Sequence, residues 1–437
     1  MSSMRELIEE LWYLKRDIVS DDFDRALLRL SEEVPLQIEE FASGERCWTW
    51  VVPEKWTCEE AWLKTLDGGR ILDYRDHPLH VVSYSLPFEG VISRDELLPH
   101  LHTHPRLPEA IPFVFKYYER DWGLCLPQSV KETLADEQYR VCIRTRFEPG
   151  TLKVGEIVVP GESPACVMLV AHLCHPAMVN DDLTGVAVSI EAARRLLAGP
   201  KPHYTYRFLI LPETIGSVAY LSRHEDRIPD MVGGLFLEML GNDSNHALQT
   251  SFTPDSPFDR CMRSAFGHLD AGGYMDAYRR VINNDERQFN APGVRVPMLS
   301  LSRVEGPHSG MRPYPQYHSS QDTPEIIADE RLEDSCQLLL GLINAWEQNQ
   351  FVVNRFKGEI FCSGYKIWVD YRTNPEGHRR LFEIMERCDG ERRVADIACE
   401  LGISFQSVWE IVDLLRSRGL VDLRRTPEPT TPPKRYL

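Results

Sequence analysis

Six residues have the types and placement to do chemistry together. His172 and His175 follow the apolar run Val167-Met168-Leu169-Val170-Ala171, and Glu213 lies just past Phe208-Leu209-Ile210-Leu211. Glu238 closes Leu235-Phe236-Leu237, Asp181 belongs to Asn180-Asp181-Asp182-Leu183-Thr184-Gly185, and His318 sits in Tyr317-His318-Ser319-Ser320-Gln321-Asp322-Thr323-Pro324. Imidazole and carboxylate suit a divalent ion such as zinc, and a hydrolytic site leaves one coordination position for water. Taken singly each has an ordinary explanation. A carboxylate before a helix is a common N-cap, and a lone loop histidine is usually structural.

What joins them is their position at the stops of apolar runs. In an open α/β sheet the carboxyl ends of the strands line the functional crevice, so residues far apart in sequence converge there. The apolar runs predict strands over 165–173, 204–211, 234–240 and 296–301, with a helix over 186–197 and a closing helix over 330–346. That alternation predicts an α/β sandwich with a mostly parallel sheet. Residues 1–47 begin with an amphipathic pattern (Leu7, Leu11 and Leu14 among Arg5, Glu6, Glu9 and Glu10) and read as a helical part of the same domain. Residues 48–150 are rich in Trp, Tyr and Pro, with strand-like Leu79–Tyr84 and 138–145, and read as a β-rich insertion. Residues 151–350 form the metal-site domain, and 351–437 a smaller C-terminal one.

At this point the chain resembles the M28-type zinc aminopeptidase clan. It is more closely similar to bacterial proteins that combine an aminopeptidase-like domain, a β-rich insertion and a C-terminal winged helix. The matching strings are Ala171-His172-Leu173-Cys174-His175-Pro176, Asn180 to Gly185, Pro212-Glu213-Thr214-Ile215-Gly216-Ser217, Asp285-Glu286-Arg287-Gln288-Phe289, and Tyr317-His318 with Asp322-Thr323; Trp122-Gly123-Leu124-Cys125 extends the match into the insertion. The resemblance implies a three-layer α/β/α fold and a hydrolase that cleaves a peptide or amide bond. One or two zinc ions would be the cofactor. His172, Asp181, Glu238 and His318 fall on metal ligands, Asp181 on the bridging one, and Glu213 on the general base. Asp285, Glu286 and Arg287 would line the substrate pocket, the acids facing a substrate amine; on residue types alone they also read as a solvated loop.

Two departures leave alternatives open. The peptidase pattern has His-x-Asp, where the Asp orients the His, but Cys174 stands there and His175 follows, so either His172 or His175 is the ligand. The pattern also has two adjacent glutamates, a base and a ligand, whereas Glu213 is followed by Thr214. Glu213 is then base or ligand. A single-metal hydrolase, or an altered site that only binds a peptide or small molecule, stands beside the two-metal reading.

His100-Leu101-His102-Thr103-His104-Pro105 looks more like a metal motif than any of these, because period-two histidines share one strand face. Its core resembles the JAMM isopeptidases. Where that family needs a Ser and an Asp downstream, this chain has Phe113 and Lys116, so structural histidines are expected. In the C-terminal part, helices over 377–388, 394–401 and 405–418 and a wing strand over 419–423 resemble a winged helix or a small peptide-carrier module, preceded by a hairpin-like stretch from Gly358 to Tyr371. Nine Lys and Arg against ten Asp and Glu between Pro375 and Arg425 give a net of 9 − 10 = −1, which argues against DNA and against a winged-helix regulator. Packing, assembly into a homo-oligomer or peptide docking is the expected role. The polar tail Pro427–Pro433 reads as disordered.

The 437 residues carry 49 basic and 66 acidic side chains, a net charge of −17. That excludes a chain built mainly to neutralise phosphates. The longest apolar stretch, Ala165 to Cys174, falls far short of the ~20 residues a membrane crossing needs. No export signal opens the chain, and 11 cysteines without a C-x-x-C pair suggest neither disulfides nor a thiolate zinc site. A reducing cytoplasm is the expected location.

Overall fold

A computed structural model describes residues 3–428. At its centre is an eight-stranded mixed sheet. Numbered in chain order, its strands are β1 (Leu36–Ala42), β2 (Thr151–Val159), β3 (Cys166–His172), β4 (Thr205–Leu211), β5 (Met231–Glu238), β6 (His246–Gln249), β7 (Tyr274–Asp276) and β8 (Met298–Arg303). They lie in the order β1-β2-β4-β3-β5-β8-β6-β7. The parallel block β4-β3-β5-β8 is central, and antiparallel partners flank it, so four of the seven pairings are parallel and three antiparallel. All of β3 is buried, which explains its unbroken apolar sequence: a strand covered on both faces has no polar side to alternate with.

Two groups of helices flank the sheet. Ser3–Leu11, Leu183–Ala198, Pro257–Leu269 and Asp329–Gln348 pack together, while Ile215–Arg223 packs with Glu286–Phe289. Leu183–Ala198 begins at Asp182, whose carboxylate accepts the Gly185 N–H and so satisfies a free donor of the first turn. The N-terminal amphipathic pattern divides in two: Ser3–Leu11 ends early, and a second helix, Asp21–Leu30, starts at the Ser20 cap.

Between β1 and β2 the chain leaves the sheet and builds the insertion. Its four-stranded antiparallel sheet has Arg70–Asp73, Lys55–Thr65, Gln138–Glu148 and Phe88–Ser93 in that spatial order. The strand expected over Leu79–Tyr84 is instead a 3₁₀ turn, Pro78–His80, capped by His77. Proline at the first helical position, with its fixed φ, selects the turn.

The C-terminal part has the expected three helices, Pro375–Met385, Val394–Leu401 and Phe405–Ser417, and a three-stranded antiparallel sheet. Phe351–Asn354 is the middle strand, between Asp389–Arg393 and Val421–Arg424. Asp389–Arg393 is too polar to be read as a strand from sequence. The hairpin expected from Gly358 to Tyr371 is absent, since that stretch holds only turns. Within the proline-rich tail, the residues from 429 onward lie outside the described ones. Among the described residues no helix is long and apolar enough to cross a membrane.

Candidate metal centre

The carboxyl ends of β3, β4 and β5 bring the expected residues to one place. His172 ends β3 and Glu238 ends β5. Asp181 immediately precedes the cap residue of the helix after β3, and Glu213 follows β4 by two residues. His172 Nε2 lies 3.0 Å from Asp181 Oδ1 and 3.4 Å from Glu238 Oε1. His318 Nε2 lies 3.0 Å from the other oxygen, Oδ2, while His175 Nδ1 lies 3.6 Å from Oδ1, the oxygen that also faces His172.

Two triads therefore share one carboxylate. In His172–Asp181–Glu238 and again in His175–Asp181–His318, the ligand atoms lie within 4.8 Å of one another. His175 completes the second triad. That leaves Glu213 outside both triads, with Oε2 3.4 Å from His175 Nε2 and its side chain 22% exposed to the cleft.

The donor atoms fit a cation. Both ring nitrogens of His172 and His175, both carboxylate oxygens of Asp181, and Glu238 Oε2 are buried without a hydrogen-bond partner. Unpaired buried polar atoms are costly and rare. A set of lone pairs facing one another at contact distance is what a metal ion would satisfy.

Burial works against the charged form of every group here, and the neighbours decide the outcome. For His175 the Asp181 charge overrides burial and lifts the imidazole to about 10. His172 is also raised well above its ordinary value despite its burial, by Asp181, then Cys174, then Glu238. Asp181 is driven well below the carboxylate range by the imidazoles around it, despite its burial. Burial raises Glu238, whereas His175 holds Glu213 below the usual glutamate value. The pocket is one that stabilises positive charge.

Surrounding residues hold these groups through the backbone. Asp182 accepts N–H bonds from Gly185, Met239 and His172, joining a helix start to the ends of β5 and β3. Asp322 accepts from the N–H groups of Asn180 and Asp181 and from the Tyr314 hydroxyl. Cys174, at the place of the pattern's Asp, accepts the Glu213 N–H at 3.0 Å and so ties the end of β4 to the loop after β3. The loop carrying Cys174 and His175 is clamped by Arg16, fully buried, which donates to the carbonyls of Leu173, His175 and Met178.

Backbone strain gathers at the same place. Thr214 has φ +63°, Met239 +59°, Ala177 +50° and His318 +52°, values uncommon outside glycine and most costly for β-branched Thr214. Each lies at or within two residues of a triad member or Glu213.

The Asp285-Glu286-Arg287 string divides. Asp285 and Glu286 are fully buried and turn away from the cleft, so they are not available to a substrate amine. Asp285 accepts the Thr214 N–H at 2.9 Å, and Glu286 accepts the Asn284 N–H while Asn284 donates to Glu238. Burial raises both carboxyls to about 7. Arg287 faces the cleft beside Glu213. Sequence reasoning also missed the insertion's reach: Phe113 N–H donates to the His318 carbonyl at 2.9 Å, and its ring meets His175 and His318 edge-on. Phe113 was noticed only as a mismatch to another family.

The His100-His102-His104 run gathers no metal-type cluster among the described residues. His100 stacks on Trp122, and His104 accepts two N–H groups of its own turn.

A Clostridium acetobutylicum protein, provisionally named for polysaccharide biosynthesis with an aminopeptidase-like domain, is 31% identical over 421 residues, 95% of each chain. A crystal structure from the same organism, provisionally named a peptidase, superposes with a TM-score of 0.83 at 30% identity, covering 96% of both chains. A zinc aminopeptidase from Bacillus subtilis shares the fold with a TM-score of 0.60 at 14% identity, over 78% of this chain and 93% of that one. The family described as a domain of unknown function, DUF4910, matches residues 5–349. The chain thus carries an aminopeptidase-like fold and belongs to the DUF4910 family.

Proposed function

We propose that this chain is a zinc-dependent hydrolase of the aminopeptidase type that cleaves a peptide or amide bond. The observation that carries the reading is the sharing of Asp181 by two triads of otherwise unsatisfied donors. His172, Asp181 and Glu238 would hold one ion, and His175, Asp181 and His318 a second. Such ions, when bound, polarise a carbonyl and make a water easier to deprotonate. Glu213 takes the proton of the attacking water and returns it to the leaving amine. Its freedom from both triads and its exposure to the cleft support that role, and Cys174 keeps it in place.

The name of the Clostridium relative joins an aminopeptidase-like domain to polysaccharide biosynthesis, which extends the amide class from peptides to amino sugars. The C-terminal unit serves packing in this reading. Val394–Leu401 lies on Pro257–Leu269, fastened by Arg260 to Asp396 at 2.8 Å. Glu410 and Asp413 within Phe405–Ser417 disfavour nucleic acid.

Elemental analysis of the purified chain is expected to find two zinc ions per chain, removable by chelation. Glu213→Gln should keep the zinc and lower turnover on an amide panel by about 10²- to 10⁴-fold. Zinc without turnover of any amide would replace the hydrolase with a binding protein.

A further inference from the structure

Glu213 stands between two hollows. One, of about 230 Å³, is lined by the triad member Glu238 and closed by Asn283, Arg312 and Tyr317. The other, of about 400 Å³, holds none of the triad residues; Arg287 lines it together with Trp50, Phe115 and Tyr118 and with Glu119 and Lys116, the latter paired to Asp121. It shares Trp50 and Gln288 with a further groove of about 600 Å³ that runs past Trp48 and Pro292. The carbonyl of a bound amide must face the triads, which assigns the acyl side to the smaller hollow. The leaving nitrogen, which receives its proton from Glu213, then points into the aromatic cleft.

Arg287 is unusually placed for a cation in a chain of net charge −17. Its Nε donates to the Asn284 carbonyl at 2.7 Å, and Nη2 reaches the Thr214 hydroxyl at 3.5 Å. No described carboxylate lies within ion-pair distance of it; of its sequence neighbours, Asp285 accepts the Thr214 N–H, and Glu286 accepts the Asn284 N–H and the Gln249 side-chain amide. The guanidinium keeps N–H donors for a planar anion, and carboxylate is the group its fork fits best. In the same hollow, Phe115 and Tyr118 are 43% and 52% exposed. Large exposed aromatics at a cleft offer a flat apolar wall to a ring.

We propose that the leaving half of the substrate is an amine that bears both a free carboxylate, received by Arg287, and a ring, laid against Trp50, Phe115 and Tyr118. This deepens the amide-hydrolase reading and rests on it for the direction of the substrate. An aromatic amino acid and a sugar acid share this chemistry.

Calorimetry on the full zinc-loaded chain separates the sources with two matched pairs: phenylalanine against phenylalaninamide, and muramic acid against glucosamine. The acid of at least one pair is expected to bind about 10- to 100-fold tighter than its partner without the carboxylate, the range of a charge-assisted hydrogen bond. Arg287→Gln should bring that ratio close to one, and Arg287→Lys should keep part of it, which guards against a variant that fails to fold. A wild-type ratio near one, a ratio unmoved by Arg287→Gln, or no binding of either acid at millimolar concentration overturns the proposal. Acid preference that depends on Arg287 without hydrolysis of any matching amide keeps the carboxylate site at Arg287 but overturns its assignment to a leaving half, together with the hydrolase reading. Hydrolysis with no acid preference overturns the carboxylate site and leaves the hydrolase reading standing.

Discussion

The chain has two histidine-rich regions, and the one that looks less like a metal site in sequence is the one built like one. His100, His102 and His104 lie within five residues of one another, yet their nitrogens are largely spent locally. His100 Nδ1 meets the Trp122 carbonyl at 2.9 Å, and His104 caps its own turn and donates to the Tyr317 carbonyl. Only His102 leaves a buried nitrogen unpaired, and no second ligand-type side chain gathers there among the described residues. His172, His175 and His318 are scattered over 147 positions (318 − 172 = 146, plus one), but their rings converge on one carboxylate. Ligand spacing along the chain matters less than whether each donor is already satisfied.

The electrostatics divide the same way. Burial lowers the pKa of His77, His80, His102 and His104, because the carboxylates near them, Asp73 and Asp76 at His80 and Asp121 at His102, offset too little of the loss of water. At the strand ends the carboxylates reverse the sign, and His172 and His175 rise. Burial dominates at His77, His80, His102 and His104, whereas His172 and His175 sit in a field that holds cations.

The largest effect should come from breaking the shared carboxylate. Asp181→Asn keeps the shape but removes the charge common to both triads. It is expected to abolish zinc binding and amide hydrolysis together, while the triple variant of His100, His102 and His104 to Ala keeps its zinc content. Elemental analysis of the two proteins checks this, and retention of two zinc ions by Asp181→Asn would dissolve the distinction between the regions.

The next effect is a pH dependence that belongs to the insertion. His77 is pushed down to about 4, by burial first and then by repulsion from His80. In the unfolded chain it titrates near ~6.5. Above that value both states are neutral and the folded state has its full stability. As pH falls from ~6.5 towards 4 the unfolded chain binds the proton first, so stability falls, by at most about 3 kcal/mol for this group. His77→Asn keeps a cap acceptor for the Leu79 N–H and does not titrate. Denaturant unfolding measured across that window should show a shallower decline for the variant; an unchanged slope places the titration elsewhere.

Much of the site was legible because strand ends can be read from where apolar runs stop. His172, Glu213 and Glu238 follow directly from that rule, and Asp181 from the helix start beside it. The job of His175 was not legible. Residues 173–182 lie between strand and helix, where neither a period of two nor of 3.6 fixes side-chain direction; it takes the Arg16 clamp, over 150 residues away in sequence, to set that loop. Asp285 and Glu286 misled for a related reason. Their types suit a substrate amine, but the first turn of a short helix can aim carboxylates inward to backbone donors as readily as outward. The parallel block was legible from the alternation of apolar runs and helices, whereas β1, which falls in the segment read as helical, was not, because Glu39 and Glu40 interrupt its apolar alternation.

A smaller effect tests how the insertion supports the strand-end histidines. His104 donates to the carbonyl of Tyr317, whose ring stacks on His318 at 3.9 Å. His104→Ala should cost about 1–2 kcal/mol in unfolding free energy from the lost turn bonds. Zinc competition with a chelator should show one of the two ions weakened by about 10-fold, the usual effect of losing an outer support. Equal weakening of both ions would mean that the insertion stabilises the whole centre and not the His175–His318 side.

The smallest effect isolates packing from coordination. The His100 ring lies flat on Trp122, with centroids 3.9 Å apart and planes 7° from parallel. His100→Phe keeps an aromatic face there and removes the part-buried bond to the Trp122 carbonyl and the 3.7 Å approach of Nδ1 to Asp121. Stacked aromatic pairs and single hydrogen bonds are each worth about 1 kcal/mol, so the exchange should change unfolding free energy by less than about 1 kcal/mol. Zinc content and its affinity should stay at the wild-type values, because no donor of either triad contacts this ring. Equilibrium unfolding and zinc titration of one preparation measure both quantities. A loss of zinc with stability intact would show that His100 acts on the metal centre through charge or proton transfer and not through its stack, which would return the insertion's histidines to the chemistry of the cleft.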